Sequence, residues 1–357
     1  MADLLVAQRQ ELLLRELRAA GVVRVAQLAV RFGVSSGTIR RDLGDLAAEG
    51  HLVRVRGGAV PAEPPAPAAA PGPPSTPAGE RTLGLLVPSA TYYYPGVIAG
   101  VRAVAARRGA RVVIAISDPA QPRDTQQIEE LRAAGANGLL IAATGGSRVA
   151  TPVLAGVRST GLPFVLLERR PEDPYEPCEF VASDHRQGAF GAVRHLHRLG
   201  HRKVALYCHG SPTAELIREG HAEAVTRLGL DPGAPVRCGR RHPPATPRQH
   251  DEFIERCLAG GTTAAVVHSD GDAITLLQRL RARGLRTPED LALIAYDDEL
   301  AALAQVPLTA VAPAKRLIGE SAAELLVDRL DGGRQPVRGM LMQPRLVIRR
   351  SCGAPPR

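Results

Sequence analysis

The chain has 357 residues, with 45 Lys+Arg against 36 Asp+Glu, a formal net charge of +9, and hydrophobic residues make up 45%. That length exceeds one small domain and fits two or three of the usual ~100–200 residues, and the apolar share excludes a wholly disordered chain. Aromatics are only 3% and Trp is absent, so the cores are expected to rest on Ala, Leu, Val and Ile.

The basic excess is a weak pointer to a nucleic-acid partner. Lys203 and Lys315 are the only lysines, so nearly all of it is Arg, and with 36 Gly and 30 Pro this reads as the codon bias of a GC-rich genome. Residues 1–60 carry +3, residues 61–81 carry −1, and the remainder +7. No stretch approaches the ~18 apolar residues of a membrane span. Gln8, Arg9, Gln10 and Glu11 interrupt the start, so no signal peptide is expected. Cys178, Cys208, Cys238, Cys257 and Cys352 are scattered without a CxxC, which argues against a disulfide framework or a zinc knuckle. The expected location is cytoplasmic.

In chain order, Gln8–Ala20 places Leu12, Leu13, Leu17 and Ala20 at helical spacing, and Gly21 stops it. Val25–Phe32 predicts a second short helix with Leu28, Ala29 and Phe32 inward. Gly33-Val34-Ser35 predicts a turn, with Ser35 or Ser36 as the N-cap of a third helix, Thr38–Glu49, that buries Ile39, Leu43 and Leu46. Residues 51–56 alternate with period two and run into Gly57-Gly58, a hairpin signal. Three helices and a hairpin make a winged helix-turn-helix over residues 1–60. Proline is then so dense in 61–81 that neither helix nor ladder can form, which predicts a semi-rigid spacer.

Beyond it, apolar strand-like runs at Leu83–Val87, Arg111–Ile116, Gly138–Ala142, Phe164–Leu167, Phe180–Ser183, Val204–Tyr207, Ala264–His268 and Leu291–Ala295 alternate with helical patterns. Such runs predict parallel sheets covered on both faces, and their number suits two doubly wound lobes.

The segment 34–43 is where chemistry becomes legible. A helix entering the major groove needs short polar residues at its start and Arg just behind them. Ser35, Ser36, Thr38, Arg40 and Arg41 supply that, and Arg54 and Arg56 on the hairpin are candidates for phosphate or minor-groove contact. A small helical domain with a solvated basic face is the bland alternative. The whole head, about Arg9 to Val60, resembles the DeoR-type helix-turn-helix family. Val34-Ser35-x-x-Thr38-Ile39-Arg40-Arg41-Asp42-Leu43 matches its recognition segment and Leu52-x-Arg54-x-x-Gly57-Gly58-Ala59 its wing. The resemblance implies a DNA-binding helix-turn-helix from about Val23 to Asp42.

The body resembles the LacI-type effector domain, related to periplasmic sugar-binding proteins, across nearly all of Thr82 to Ser351. The residues that carry this include 82–88, Gly135-x-x-Gly138-Leu139-Leu140-Ile141, 194–204 with its Leu199-Gly200-His201-Arg202-Lys203-Val204 end, Thr287-Pro288-Glu289-Asp290, Tyr296-Asp297-Asp298, Pro307-Leu308-Thr309 and 322–326. The implied fold class is α/β: an N-terminal winged helix-turn-helix joined by a Pro-rich linker to a two-lobed, doubly wound periplasmic-binding-protein-like domain, 82–352. The first lobe is expected at about 82–182 and 309–340, the second at about 183–308 and 341–352.

In that family two lobes close on a ligand. Carried over residue by residue, the resemblance makes Glu168, Ser269 and Asp297 ligand contacts, with Arg169 and Asp270 beside them. The family's contacting Arg falls on Ile217, leaving Arg218 about 100° round the helix, and a pocket Gln falls near Pro313. Tyr92, Tyr93 and Tyr94 follow the first strand, where such sheets bind ligand, and can stack on a sugar while their hydroxyls bond it. Packing of the lobe interface is the alternative for one or two of them. Asp184, at the crossover to the second lobe, fits a hinge or a cleft role equally. His195, His197 and His201 could suggest a metal site, but His201 belongs to a helix-ending Leu-Gly-His-Arg pattern; Asp270-Gly-Asp272 could bind a divalent ion, but Asp270 reads as the cap of the following helix, so no metal or cofactor is expected.

The implied function is a DNA-binding transcription regulator, a repressor, acting as a homodimer on operator DNA under control of a sugar effector, with no membrane partner. A proline spacer in place of the family's hinge helix implies looser coupling between head and body. Activation is the open alternative, and an α/β sugar- or nucleotide-acting enzyme with a DNA-binding head is the rival, against which stands the lack of a phosphate loop or nucleophile elbow.

Overall fold

The computed structural model describes residues 10, 13–14, 16–17, 23–32, 34–48, 52–55, 58–61, 81–119, 121–208, 210–239 and 246–354, with some side chains within 24–61 excepted. The chain divides into two compact units, 1–76 and 77–357. The bounds expected for the first helix, with Leu12 and Ala20, lie outside the described residues, as do Arg56, Gly57 and 62–80 of the spacer.

In the first unit Leu13 and Leu17 are helical and buried. Helices Val25–Phe32 and Ser36–Ala48 follow, then strands Leu52–Val55 and Gly58–Pro61. Period-3.6 spacing drives the packing: Leu28, Ile39, Leu43 and Leu46 meet Leu13, Leu17, Leu52 and Ala59 in one core. Ser35 is the N-cap, its hydroxyl accepting the Thr38 amide at 3.1 Å. Val23 and Arg24, just ahead of the second helix, form a third strand, antiparallel to Gly58–Pro61 with Val23 opposite Ala59. Both residues can take extended backbone, and the pairing satisfies their amides where the helix has not yet begun.

The second unit holds two six-stranded sheets. The first runs, in spatial order, Gly339–Met342, Phe180–Ser183, Phe164–Leu167, Gly138–Ile141, Arg81–Val87 and Ala110–Ile116, all parallel. The second runs Val236–Cys238, Val204–Cys208, Ala264–His268, Ala292–Tyr296, Thr309–Ala312 and Arg345–Val347, parallel except for the last strand. Side chains alternate across each pleat, so both faces must be covered. In the first sheet Leu83, Leu85, Leu140 and Leu167 pack under helices Tyr94–Arg108 and Lys315–Leu330. Leu86, Leu139, Ile141 and Leu166 pack on the other face with Ile128, Leu131, Leu154 and Val157. The second sheet repeats the scheme, Tyr207, Val267 and Leu293 on one side and Leu206, Val266 and Ile294 on the other.

One expected lobe boundary is corrected. Thr309–Ala312 belongs to the second lobe, because its ladder is to Ala292–Tyr296 and Arg345–Val347. The chain returns to the first lobe only with helix Lys315–Leu330. The lobes are therefore joined by three crossings, after Ser183, after Ala312 and after Met342. Helix Lys315–Leu330 lies so close to Tyr94–Arg108 that a Cβ on Gly100 would overlap the Arg316 carbonyl, and one on Gly319 the Val97 carbonyl. Only glycine permits that approach.

Candidate functional site

Two places bring chemistry-bearing residues together, one in each unit. In the head, Ile39 and Leu43 hold one face of helix Ser36–Ala48 in the core, and 100° per residue turns Arg40 and Arg41 to solvent. Ser36 and Thr38 are half-buried at its first turn and Ser35 is exposed, its hydroxyl 2.9 Å from that of Thr38. Arg54 is paired with Ala59 in the hairpin; its side chain, like all of Arg56, lies outside the described residues.

In the body, the carboxyl ends of strands from both sheets face a cleft of about 340 Å³. It is lined by Tyr92, Tyr93, Tyr94, Glu168 and Arg169 of the first lobe and by Ser269 and Asp297 of the second. Glu168 and Asp297 each come directly after a strand, and each has left-handed backbone, φ 53° and 87°. That conformation is costly for a residue with a Cβ and is characteristic of functional positions.

Glu168 is held rigidly. Its Oε1 accepts the hydroxyls of Tyr93 and, at 2.9 Å, Ser183, while Oε2 accepts the Ser183 amide at 2.9 Å. The His185 ring lies 3.6 Å from Oε2. Burial raises the Glu168 carboxyl, but His185, the Ser183 amide and Tyr93 outweigh it and hold it below the usual range, so it is ionised. Across the cleft, the His268 ring lies 3.5 Å from the Asp297 carboxylate. Burial lowers His268 against the pull of Asp297, favouring its neutral form. Each lobe thus presents one strand-end carboxylate beside an imidazole.

Two buried polar atoms on cleft-lining residues, Arg169 Nη2 and His268 Nδ1, have no hydrogen-bond partner among the described residues. The rest of the Arg169 guanidinium is fixed by the carbonyls of Ala143 and Glu168, each at 2.9 Å. Buried polar atoms are nearly always paired in native proteins. An orphan set around one cavity therefore marks where a polar ligand would bond.

Three expected contacts are not in the cleft lining. Asp184 caps helix His185–Arg198 by accepting the Gln187 amide at 3.0 Å, a crossover role. Asp270 is fully buried and does not cap its own helix. Its Oδ2 accepts the amides of Glu299, Leu300 and Ala301 at 2.7, 2.6 and 3.1 Å, and Oδ1 accepts the Tyr92 hydroxyl. It pins the turn that follows Asp298. Arg218 is exposed on helix Ala214–Arg227 while Ile217 fills the core, the one-residue rotation having turned the guanidinium away.

The cleft also uses residues not singled out beforehand, notably Ser89, Thr91, His185, Ser211, Thr213 and His268. His268 ends its strand, and His185 follows the lobe crossover. The strand-end rule, applied to every strand, would have reached His268.

A DeoR-like helix-turn-helix domain model matches residues 9–64, and a periplasmic binding protein-like domain model matches 193–352. The chain is thus similar to a DeoR-like helix-turn-helix domain in its head and to a periplasmic binding protein-like domain in its body. The arabinose metabolism transcriptional repressor of Geobacillus stearothermophilus is 26% identical over 91% of this chain and 89% of its own length. The transcriptional repressor CytR of Escherichia coli is 26% identical over 77% of this chain and 80% of its own. Among solved structures, the Lac repressor bound to ONPG matches 88% of this chain and 90% of its own at a TM-score of 0.65 and 21% identity. A LacI family regulator of Enterococcus faecium with bound ribose matches 76% and 98% at 0.63 and 22% identity. These likenesses place the periplasmic binding protein-like fold over the whole two-lobed unit.

Proposed function

We propose that the protein is a transcriptional repressor that binds operator DNA through its winged helix-turn-helix and is controlled by a sugar bound between the two lobes. Ser35, Ser36, Thr38, Arg40 and Arg41 are the DNA-contacting residues of the described head, with Arg54 of the hairpin; Arg56 is given the same role from the sequence alone. A homodimer suits a partly palindromic operator, because two-fold protein symmetry matches two half-sites.

The observation that carries the effector reading is the pair of strand-end carboxylates, Glu168 and Asp297, facing one cleft with unpaired polar atoms beside them. Ionised carboxylates accept only, so they suit a ligand rich in hydroxyl donors. Arg169 Nη2 answers an acceptor oxygen, and tyrosine faces cover apolar ring edges. The relative named for arabinose metabolism and the ribose-bound structure put pentoses first among candidates. The cleft is read as a binding site rather than a catalytic one, since every bond to Glu168 fixes it as a static acceptor.

Binding must favour one degree of lobe closure over another to shift DNA affinity. A thermal-shift screen of pentoses, hexoses, polyols and nucleosides tests the reading. A sugar should raise the melting temperature of the wild type and not of Asp297→Ala. Stabilisation by nucleosides alone would replace the sugar with another ligand class.

A further inference from the structure

Cys208 and Cys238 are register partners at the carboxyl ends of adjacent parallel strands. Neighbouring strands lie about 4.8 Å apart, inside the ~4.4–6.8 Å Cα separation that a disulfide spans. Paired residues also project to the same face, so the two thiols are neighbours across the ladder. Cys238 is exposed and Cys208 is buried. The chain leaving Cys208 reaches the cleft wall within two residues, at Gly210, Ser211, Pro212 and Thr213.

We propose that Cys208 and Cys238 are a peroxide-sensitive thiol pair that closes to an intramolecular disulfide next to the effector cleft. Cys238 is the attacking group. The neighbouring Cys208 thiol, aided by the Arg218 charge and opposed by burial, holds its thiol below the ordinary 9, which raises its thiolate share. Burial pushes Cys178 up to about 11 and Cys257 up to about 12, which leaves those two as inert thiols.

The Cys238 thiolate attacks one peroxide oxygen and breaks the O–O bond. The departing hydroxide takes a proton and leaves as water, and Cys238 becomes a sulfenic acid. The Cys208 sulfur then attacks the Cys238 sulfur, the S–O bond breaks, and the hydroxyl leaves with the Cys208 proton as a second water. Two thiols have lost two electrons and one peroxide has become two waters. Such bonds in a reducing compartment are transient and sensing rather than structural. The bridge would tie the edge strand to the strand that carries the cleft wall, and this chemistry does not depend on what the cleft binds.

The full-length protein, treated with hydrogen peroxide, quenched, denatured and titrated for thiols, should fall from five to three. Peptide mapping should find one intrachain link, Cys208 to Cys238, lighter by two hydrogens than the separate peptides. In Cys208→Ser, Cys238 should stop at a sulfenic acid that dimedone traps. Iodoacetamide should label Cys238 at least about tenfold faster than Cys178 or Cys257. A link between other cysteines or between two chains, irreversible oxidation of Cys238 with no link, or equal oxidation of Cys178 and Cys257 would overturn the proposal. Mapping of the wild type decides alone if Cys208→Ser does not fold.

Discussion

The Tyr92 hydroxyl, carried on the first lobe, donates to the carboxylate of Asp270 on the second. Burial and the charges of Asp297 and Asp270 push the Tyr92 phenol well up, so it remains a donor at any physiological pH. Lys315 makes a second bridge from the first lobe, bonding the Asp297 carbonyl and the Glu299 carboxylate while standing 5.1 Å over the Tyr93 ring. Two polar contacts thus bridge the lobes beside the cleft.

Removing the first contact should favour opening. A hydrogen bond to a charged group contributes roughly 1.5–3 kcal/mol, so Tyr92→Phe should weaken effector binding by about tenfold or more. Small-angle scattering should show a larger radius of gyration for the variant's body. An unchanged scattering curve would mean the contact does not govern closure.

The two strand-end carboxylates should matter separately. Asp297→Asn and Glu168→Gln keep size and shape but turn an acceptor-only group into a mixed one. Each should lower calorimetric affinity for the identified sugar by roughly ten- to a hundredfold. Circular dichroism should stay native. Glu168→Gln carries the greater structural cost, since Tyr93, Ser183 and His185 are all set to face an ionised group.

The close helix crossing predicts a stability effect with no ligand involved. Gly319→Ala forces its methyl against the Val97 carbonyl, and overpacking of this kind costs about 1–3 kcal/mol. Its melting temperature should fall. Gly191→Ala, at a half-buried helix position where a Cβ meets nothing within 4 Å, should not destabilise.

Acid should loosen the second lobe before the first. Burial lowers His268 and His221 from the ordinary 6.5. Above that pH both are neutral, folded or unfolded, and contribute no pH dependence. As pH falls below about 6.5 the unfolded chain takes up protons that the folded one resists, so stability declines. Glu168, lowered from 4.5, adds its loss only below that value. Thermal melts between pH 7.5 and 5.5 should therefore shift downward, and His221→Gln should flatten that slope. Identical melting temperatures across the range would contradict the assignment.

Much of the fold was legible because both sheets are parallel and buried on two faces. The short apolar runs around Leu83–Val87 and Ala264–His268 read as interior strands, and both are fully paired in parallel ladders. The head was legible because Ile39, Leu43 and Leu46 define a helical face and leave Arg40 and Arg41 outside. Harder to see was anything that depended on the chain crossing between lobes. Nothing local in Thr309–Ala312 says which sheet it joins; only its ladder with Ala292–Tyr296 does. Asp270 looked like a cap, yet its carboxylate serves a turn about 30 residues later. His185 and His268 escaped notice because each meets its carboxylate only after folding. Arg218 shows how a one-residue offset on a helix removes a side chain from a site.

The most direct test is an operator-release titration. Labelled DNA from the regulated promoter is bound by wild type, Asp297→Ala and Arg40→Ala/Arg41→Ala, and anisotropy is followed as the identified sugar is added. Wild type should bind and then release, Asp297→Ala should bind and stay bound, and the double arginine variant should bind DNA poorly while still taking up the sugar. Release of Asp297→Ala at wild-type sugar concentrations, or undiminished binding by the arginine variant, would contradict a repressor that reads DNA with its head and a sugar with its cleft.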